Sequence, residues 1–164
     1  MRELTYDRQK VCEYAYKWAY KRNPNYYNFD SVGGDCTNFA SQCIYAGSKV
    51  MNYSKQNGWY YINGNNKSPS WSGVEFLYNF LTTNKLQGPY GKEVKQNEIE
   101  IGDIIQLSFD GFKFSHTLIV VKIENKLDFN GIKISSHTFD SFNKRISEYN
   151  FRKIRFVHIK NVRK

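Results

Sequence analysis

The chain has 164 residues and a formal net charge of +9, with 40% hydrophobic and 17% aromatic residues. This length suits a single domain, residues 1–164, that buries roughly 70% of the surface its unfolded form exposes. No apolar run approaches the roughly 20 residues of a membrane-spanning helix, and the first residues lack the apolar core of a signal peptide. The positive charge favours anionic surroundings, but it is scattered and no nucleic-acid-binding motif accompanies it. We therefore expect no membrane span and no nucleic-acid partner.

The first half of the chain carries helical patterns separated by loops. Asp7 is placed to cap the first helix, and Asn23-Pro24-Asn25 stops it because proline disfavours a helical residue before it. The second helix is predicted to end at Gly47, and residues 48–70 form a long irregular segment. Apolar residues at three- and four-residue steps predict three helices: residues 8 to about 21, about 36 to 46, and 72 to about 84.

After residue 91 the pattern changes from helical to alternating. Asp110-Gly111 is a tight-turn signal between the first two of the strands. Helices followed by antiparallel strands predict an α+β domain with N-terminal helices packed on a C-terminal antiparallel sheet. The predicted strands are residues 100–107, 112–123, 132–138 and 151–159.

The most informative stretch is Gly33-Gly34-Asp35-Cys36-Thr37-Asn38-Phe39-Ala40-Ser41-Gln42. Two glycines allow a sharp turn, and Asp35 is a candidate N-cap for the helix that Cys36 begins. The positive end of a helix favours thiolate over thiol, which makes Cys36 a candidate nucleophile. The alternative is that Cys36 is a small buried hydrophobe, the interpretation we favour for Cys12 and Cys43. Three cysteines at these spacings predict neither a disulfide framework nor a metal site.

A candidate base stands at the start of the most convincing strand. His116 shares a face by alternation with Leu118 and Val120, which we expect to be the core-facing side. A helix packed on that face would bring its end to His116, and Cys36 lies at such an end. The alternative is that His116 is a buried structural histidine whose ring nitrogens hydrogen-bond within the protein. His158, in phase with apolar residues of the last strand, is predicted to be structural.

A cysteine–histidine pair needs a third group that orients the imidazole. The end of the next predicted strand, in Ser135-Ser136-His137-Thr138-Phe139-Asp140, offers His137 and Asp140. Alternation places His137 in phase with Ser135 and Asp140 in phase with Ile134, which counts against His137 unless the strand ends or bulges there. Both candidates stay open at this point.

Aromatic residues gather in two loop stretches, residues 26–29 and 59–61. Such side chains suit the walls of a substrate cleft, although packing over the core is the competing interpretation. The candidate substrate-binding residues are Asp35, Tyr27, Trp59 and Trp71.

Four motifs in this order resemble those of the putative amidase domain family of many Gram-positive bacterial proteins, a branch of the papain-like NlpC and CHAP superfamily. The resemblance covers the chain from about residue 5 to residue 158. The motifs are the Gly33 to Gln42 stretch, Gly102-Asp103-Ile104-Ile105-Gln106, Ser115-His116-Thr117 and His137-Thr138-Phe139-Asp140.

The resemblance implies a papain-like fold and a role for each matching residue. Cys36 corresponds to the nucleophile and His116 to the base, and the Cys36 backbone N–H would contribute to the oxyanion hole. His137 corresponds to the orienting residue of a Cys-His-His pattern, with Asp140 as its rival. No cofactor and no metal are implied.

The implied activity is cleavage of amide bonds through a thioester on Cys36, with a peptidoglycan peptide or another amide as substrate. The implied location is extracellular or at the cell wall. Neither the bond that is cut nor the choice between hydrolysis and acyl transfer follows from the resemblance. A non-catalytic binding module on the same scaffold and an acyltransferase or deamidase acting on protein are the alternatives.

Overall fold

An antiparallel sheet of seven strands with helices on one face organises the computed structural model, which describes residues 1–164. The strands are β1 (Glu3–Leu4), β2 (Tyr61–Asn63), β3 (Asn66–Lys67), β4 (Gly88–Val94), β5 (Ile104–Ser108), β6 (His116–Ile123), β7 (Ile132–Ser136), β8 (Ser141–Arg145) and β9 (Lys153–Arg163). The strand order in the sheet is β1-β9-β5-β6-β7-β8, and β4 also pairs with β9. Strands β2 and β3 form a separate two-stranded hairpin.

Four helices lie in the first half of the chain, so the predicted α+β class and the antiparallel sheet are confirmed. Nearly every residue of the second helix is buried. None of the four is long and apolar enough to cross a membrane. The helices are α1 (Arg8–Trp18), α2 (Cys36–Ser48), α3 (Pro69–Ser72) and α4 (Val74–Thr83).

Each face of the sheet has its own hydrophobic core, because successive strand residues point to opposite sides. The helix-side core joins residues such as Phe39 and Trp71 to Ile104 and Ile119 of the sheet. The second core lies on the other face and contains Leu118 of β6. Its other fully buried members include Ile105, Leu107, Val120, Ile132, Ile134 and Ile146.

Several element boundaries differ from the sequence predictions. Helix α1 ends at Trp18 instead of near residue 21, and α2 continues through Gly47 to Ser48, where Lys49 adopts a left-handed conformation with φ of 54°. The predicted third helix, residues 72 to about 84, is α4 and begins at Val74, because Gly73 has an extended backbone that separates it from the unpredicted short helix α3. Residues 112–115 are a loop rather than a strand, since the Asp110 carboxylate accepts the N–H groups of Phe112 and Lys113.

Candidate active site

The start of α2 is held by a tight approach between two loops. Gly33 and Gly34 have φ of 83° and 96°, a region that side chains other than glycine rarely adopt. A Cβ on Gly34 would lie 3.2 Å from the Thr138 Oγ1, the atom that accepts the Asp35 backbone N–H. The two glycines therefore let this loop reach the segment after β7 and place Cys36 at the first position of α2.

Asp35 is fully buried and has a different role from those predicted for it. Its side chain makes no N-cap hydrogen bond. One carboxylate oxygen accepts the Phe29 N–H and the Asn38 Nδ2, and the other faces the His137 ring. A carboxylate this buried and this well bonded organises the loop around Cys36 and is closed to a substrate.

His116 is the first residue of β6 and is only 6% exposed. Its Nε2 lies 3.4 Å from the Ser136 Oγ, a long hydrogen bond, and its Nδ1 has no hydrogen-bond partner in the protein. Tyr149 and Phe109 cover the ring, with centroids 5.8 and 6.2 Å away. One ring nitrogen is therefore tethered and the other is available.

Cys36 and His116 come together where α2 meets the beginning of β6. The Thr37 and Thr117 hydroxyls are 2.9 Å apart, and the Thr117 backbone lies near enough to the Cys36 thiol to lower its pKa. The thiol also lies 3.8 Å from the Thr37 Oγ1 and forms no hydrogen bond with the imidazole. The nucleophile and base candidates therefore lie at adjoining ends of α2 and β6 with no hydrogen bond between them.

The prediction that the helix of Cys36 packs on the sheet face that carries His116 was wrong. His116 does share a face with Leu118, as predicted, but that face carries the second core and not the helices. Helix α2 packs on the opposite face, where Thr117 and Ile119 point. Cys36 thus reaches His116 around the end of the strand rather than across a shared face.

Burial favours the uncharged form of both groups. Burial raises the pKa of the Cys36 thiol, the Asp35 charge adds to that rise, and hydrogen bonds from Thr37 and the Thr117 backbone oppose it. Burial and, as a smaller cause, the positive charge of Lys144 together lower the pKa of His116 to about 4. At neutral pH the pair is therefore thiol and neutral imidazole, rather than the thiolate that the helix terminus alone favours.

Neither predicted orienting residue contacts His116. The His137 ring stacks on Phe39, and its two nitrogens face the Asp35 carboxylate at 2.5 Å and the Trp18 carbonyl at 2.8 Å. Both partners are acceptors, so only the imidazolium form donates to both at once. Asp140 pairs with Arg22 at 2.9 Å.

Ser136 is the residue whose side chain contacts the His116 ring, and sequence reasoning missed it. The alternation that counted against His137 places Ser136 in phase with Ile134, on the same side of β7 as His116. The strand pattern could therefore have pointed to Ser136, had a hydroxyl been considered for the role.

The tryptophans predicted to line a cleft are core residues. Trp59 and Trp71 are fully buried, and their indole N–H groups donate to the Ser41 hydroxyl and the Asn38 side-chain oxygen. Tyr27 is half exposed, but it lines neither of the cavities beside His116. The interpretation of these aromatic residues as packing is the one that holds.

Two open cavities share Ser115 in their linings. One, of about 300 Å³, includes Thr138, and the other, of about 310 Å³, includes Gly33. The first is lined by Phe109, Ser115, His116, Thr138, Phe139, Lys144 and Tyr149. The second is lined by Gly33, Ser72, Gly73, Val74, Glu75, Phe76, Lys113, Phe114 and Ser115.

Residues 5–159 match the family described as "Putative amidase domain". The chain belongs to this family. The family name indicates hydrolysis of amide bonds, and the match includes Cys36, His116 and Ser136. The uncharacterized protein YhbB of Bacillus subtilis strain 168 is 35% identical over 144 residues, which are 85% of this chain and 44% of that protein. The chain thus spans less than half the length of this relative. No solved structure matches the chain.

Proposed function

We propose that this amidase-family domain is a cysteine-dependent amide hydrolase with a papain-like arrangement. The observation that carries the proposal is the placement of Cys36 at the N-terminus of a buried helix whose first turn contacts the start of β6, where His116 lines a cavity. A helix bearing the nucleophile and an antiparallel sheet bearing the base are the parts that a papain-like site requires.

Acylation begins with the Cys36 sulfur attacking the amide carbonyl carbon. His116 accepts the thiol proton at its free Nδ1 during this attack, because the resting pair is neutral. We assign the Ser136 hydroxyl as the acceptor of an Nε2–H in this step, since that tautomer leaves Nδ1 unprotonated. The tetrahedral intermediate then collapses, His116 returns the proton to the departing amine, and a thioester remains on Cys36.

Deacylation reverses the roles. His116 removes a proton from water, the resulting hydroxide adds to the thioester carbon, and the thiol departs with the proton that His116 holds. The products are the carboxylic acid and free Cys36. The Cys36 backbone N–H donates to no protein acceptor, as expected at the first position of a helix, and is the donor that we assign to the oxyanion.

For the substrate we propose the peptide portion of bacterial peptidoglycan, with the domain acting outside the cell or at its wall. The resemblance of the motifs to the NlpC and CHAP superfamily supports this choice. The net charge of +9 supports it further, because a positive protein accumulates at an anionic wall.

A non-catalytic binding module is the second candidate. Two observations favour it: the missing hydrogen bond between Cys36 and His116, and the burial that keeps both groups neutral. Catalytic hydrogen bonds are often long before substrate binds, so the hydrolase remains the better-supported function.

The test is digestion of purified peptidoglycan, with the released peptides and new amino groups followed by liquid chromatography and mass spectrometry. We expect cleavage by the wild-type domain, loss of cleavage in Cys36→Ala, and retention in Cys12→Ala as the matched cysteine control. Circular dichroism establishes that each variant folds. Cleavage by Cys36→Ala at the wild-type rate would remove Cys36 as the nucleophile, and binding without any cleavage would favour the second candidate.

A further inference from the structure

The cavity beside His116 contains an unpaired cation. Lys144 lines this cavity, and its ammonium lies over the Tyr149 ring, 4.0 Å from the centroid. It takes part in none of the ion pairs of the protein. The lining includes no aspartate or glutamate, so no carboxylate within the cavity neutralises this charge.

The remaining walls of this cavity are largely aromatic. Phe109 is 42% exposed and Phe139 is 87% exposed, both unusual for phenylalanine. Phe139 and the preceding Thr138 each have φ of 60°, a region that non-glycine residues enter at a cost. The Thr138 hydroxyl holds the Asp35 backbone N–H, so this strained turn belongs to the same framework that positions Cys36. The turn places the Phe139 ring in the lining of the cavity.

We propose that this cavity is a substrate subsite for a group that carries a carboxylate beside an apolar portion, with Lys144 pairing the carboxylate and the three aromatic residues contacting the rest. The inference rests on the proposed function, since it gives the chemical class of one side of the substrate. A volume of about 300 Å³ suits a group the size of one or two amino-acid residues. A single lysine in a small aromatic cavity suits one carboxylate better than a polyanion.

Occupation of the subsite has a chemical consequence for the base. The charge of Lys144 is one of the two causes that lower the pKa of His116. A bound carboxylate neutralises that charge, so the pKa of His116 rises and the imidazole becomes a stronger proton acceptor. A substrate with the correct charge thereby strengthens the base that acts on it.

The experiment compares two probes of the same shape, 3-phenylpropionate and 3-phenylpropionamide, by nuclear magnetic resonance titration of the Cys36→Ala protein. We expect the carboxylate to shift the signals of His116, Lys144 and Tyr149 and to bind about tenfold more tightly than the amide. Lys144→Gln should make the two affinities equal. Lys113→Gln, which removes the same charge from the neighbouring cavity, should preserve the difference.

Equal affinities in the unsubstituted background, binding of neither probe, or a preference that survives Lys144→Gln would each overturn the subsite. The titration measures binding and not turnover, so it is separate from the test of hydrolysis. A carboxylate preference in a domain that cleaves nothing keeps the subsite and removes the hydrolase. Cleavage without the preference removes only the subsite.

Discussion

The His137 Nδ1 lies 2.5 Å from the Asp35 Oδ2, in the buried space between α2 and the end of β7. Asp35 immediately precedes Cys36 and shares its other carboxylate oxygen with Phe29 and Asn38. His137 therefore acts on the site through the position of Asp35 and not through His116. In a Cys-His-His site His137 would hydrogen-bond and orient His116, whereas here it bonds Asp35.

Replacing His137 should mainly lower stability. His137→Ala removes one partner of the buried Asp35 carboxylate, which keeps its hydrogen bonds to the neighbouring loop and helix and its 3.7 Å ion pair with Arg22. We expect the loss to reduce the free energy of unfolding by about 1–3 kcal/mol in urea denaturation. Asp140→Asn is the control, because it breaks an exposed ion pair with Arg22 and should cost about 1 kcal/mol or less. An unchanged unfolding free energy together with a collapsed kcat would instead make His137 the orienting residue.

Ser136 should affect the rate rather than the fold. Ser136→Ala removes the only hydrogen bond of the His116 ring, and we expect kcat on a cleaved peptide to fall about tenfold with KM nearly constant. The adjacent Ser135 offers a matched control, since its hydroxyl is buried without any partner and points to the other face. Equal effects of Ser135→Ala and Ser136→Ala would show that the tether does not matter.

Alkylation of Cys36 by iodoacetamide should depend steeply on pH. Burial raises the pKa of this thiol and lowers that of His116 to about 4, so no thiolate–imidazolium pair is populated at pH 6. We expect labelling, measured by mass spectrometry at each cysteine, to be slow at pH 6 and to increase toward pH 9. Fast labelling of Cys36 at pH 6 that His116→Ala abolishes would contradict this and establish the ion pair.

Acid should destabilise the fold through His116. Its pKa is about 4 in the folded state and about 6.5 when unfolded, so between these values the unfolded chain binds more protons and stability falls as the pH falls. The loss from this residue amounts to about 2 kcal/mol between pH 7 and pH 5. Urea denaturation at both values measures it, with His116→Gln expected to show a loss smaller by that amount. Parallel losses in the two proteins would disprove the shift.

Sequence periodicity predicted the helices and strands whose own residues follow a regular apolar pattern, and it missed a strand that depends on its pairing partner. Helix α2 and strand β6 have regular apolar patterns, and both formed, with α2 two residues longer than predicted and β6 beginning at His116 rather than at residue 112. Strand β4 was not predicted because Gly88, Pro89 and Gly91 are poor strand residues, and only pairing with β9 makes them extended.

In the candidate site, too, the residues at element starts were predicted from local pattern, whereas the contacts set by tertiary packing were not. Cys36 and His116 were predicted from a helix start and a strand start, which are local features. The partner of His116 depends on which residue of β7 faces it, and the loop after β7 turns His137 toward Asp35. A serine hydroxyl carries no sequence signature for such a role, and the neutral state of the pair arises from burial that only the packed structure contains.

The backbone hydrogen bonds between Arg2 and Lys164, made in both directions, bring the two ends of the fold to one point on the edge of β9. Because these two ends lie together, they could be joined and the chain opened at another place. A short linker between these ends, with new ends opened at the exposed tip of the β2–β3 hairpin, should give a circular permutant with the same sheet and the same site. For the same reason the domain could be inserted within a loop of another protein, since host chain would need to enter and leave at only one place.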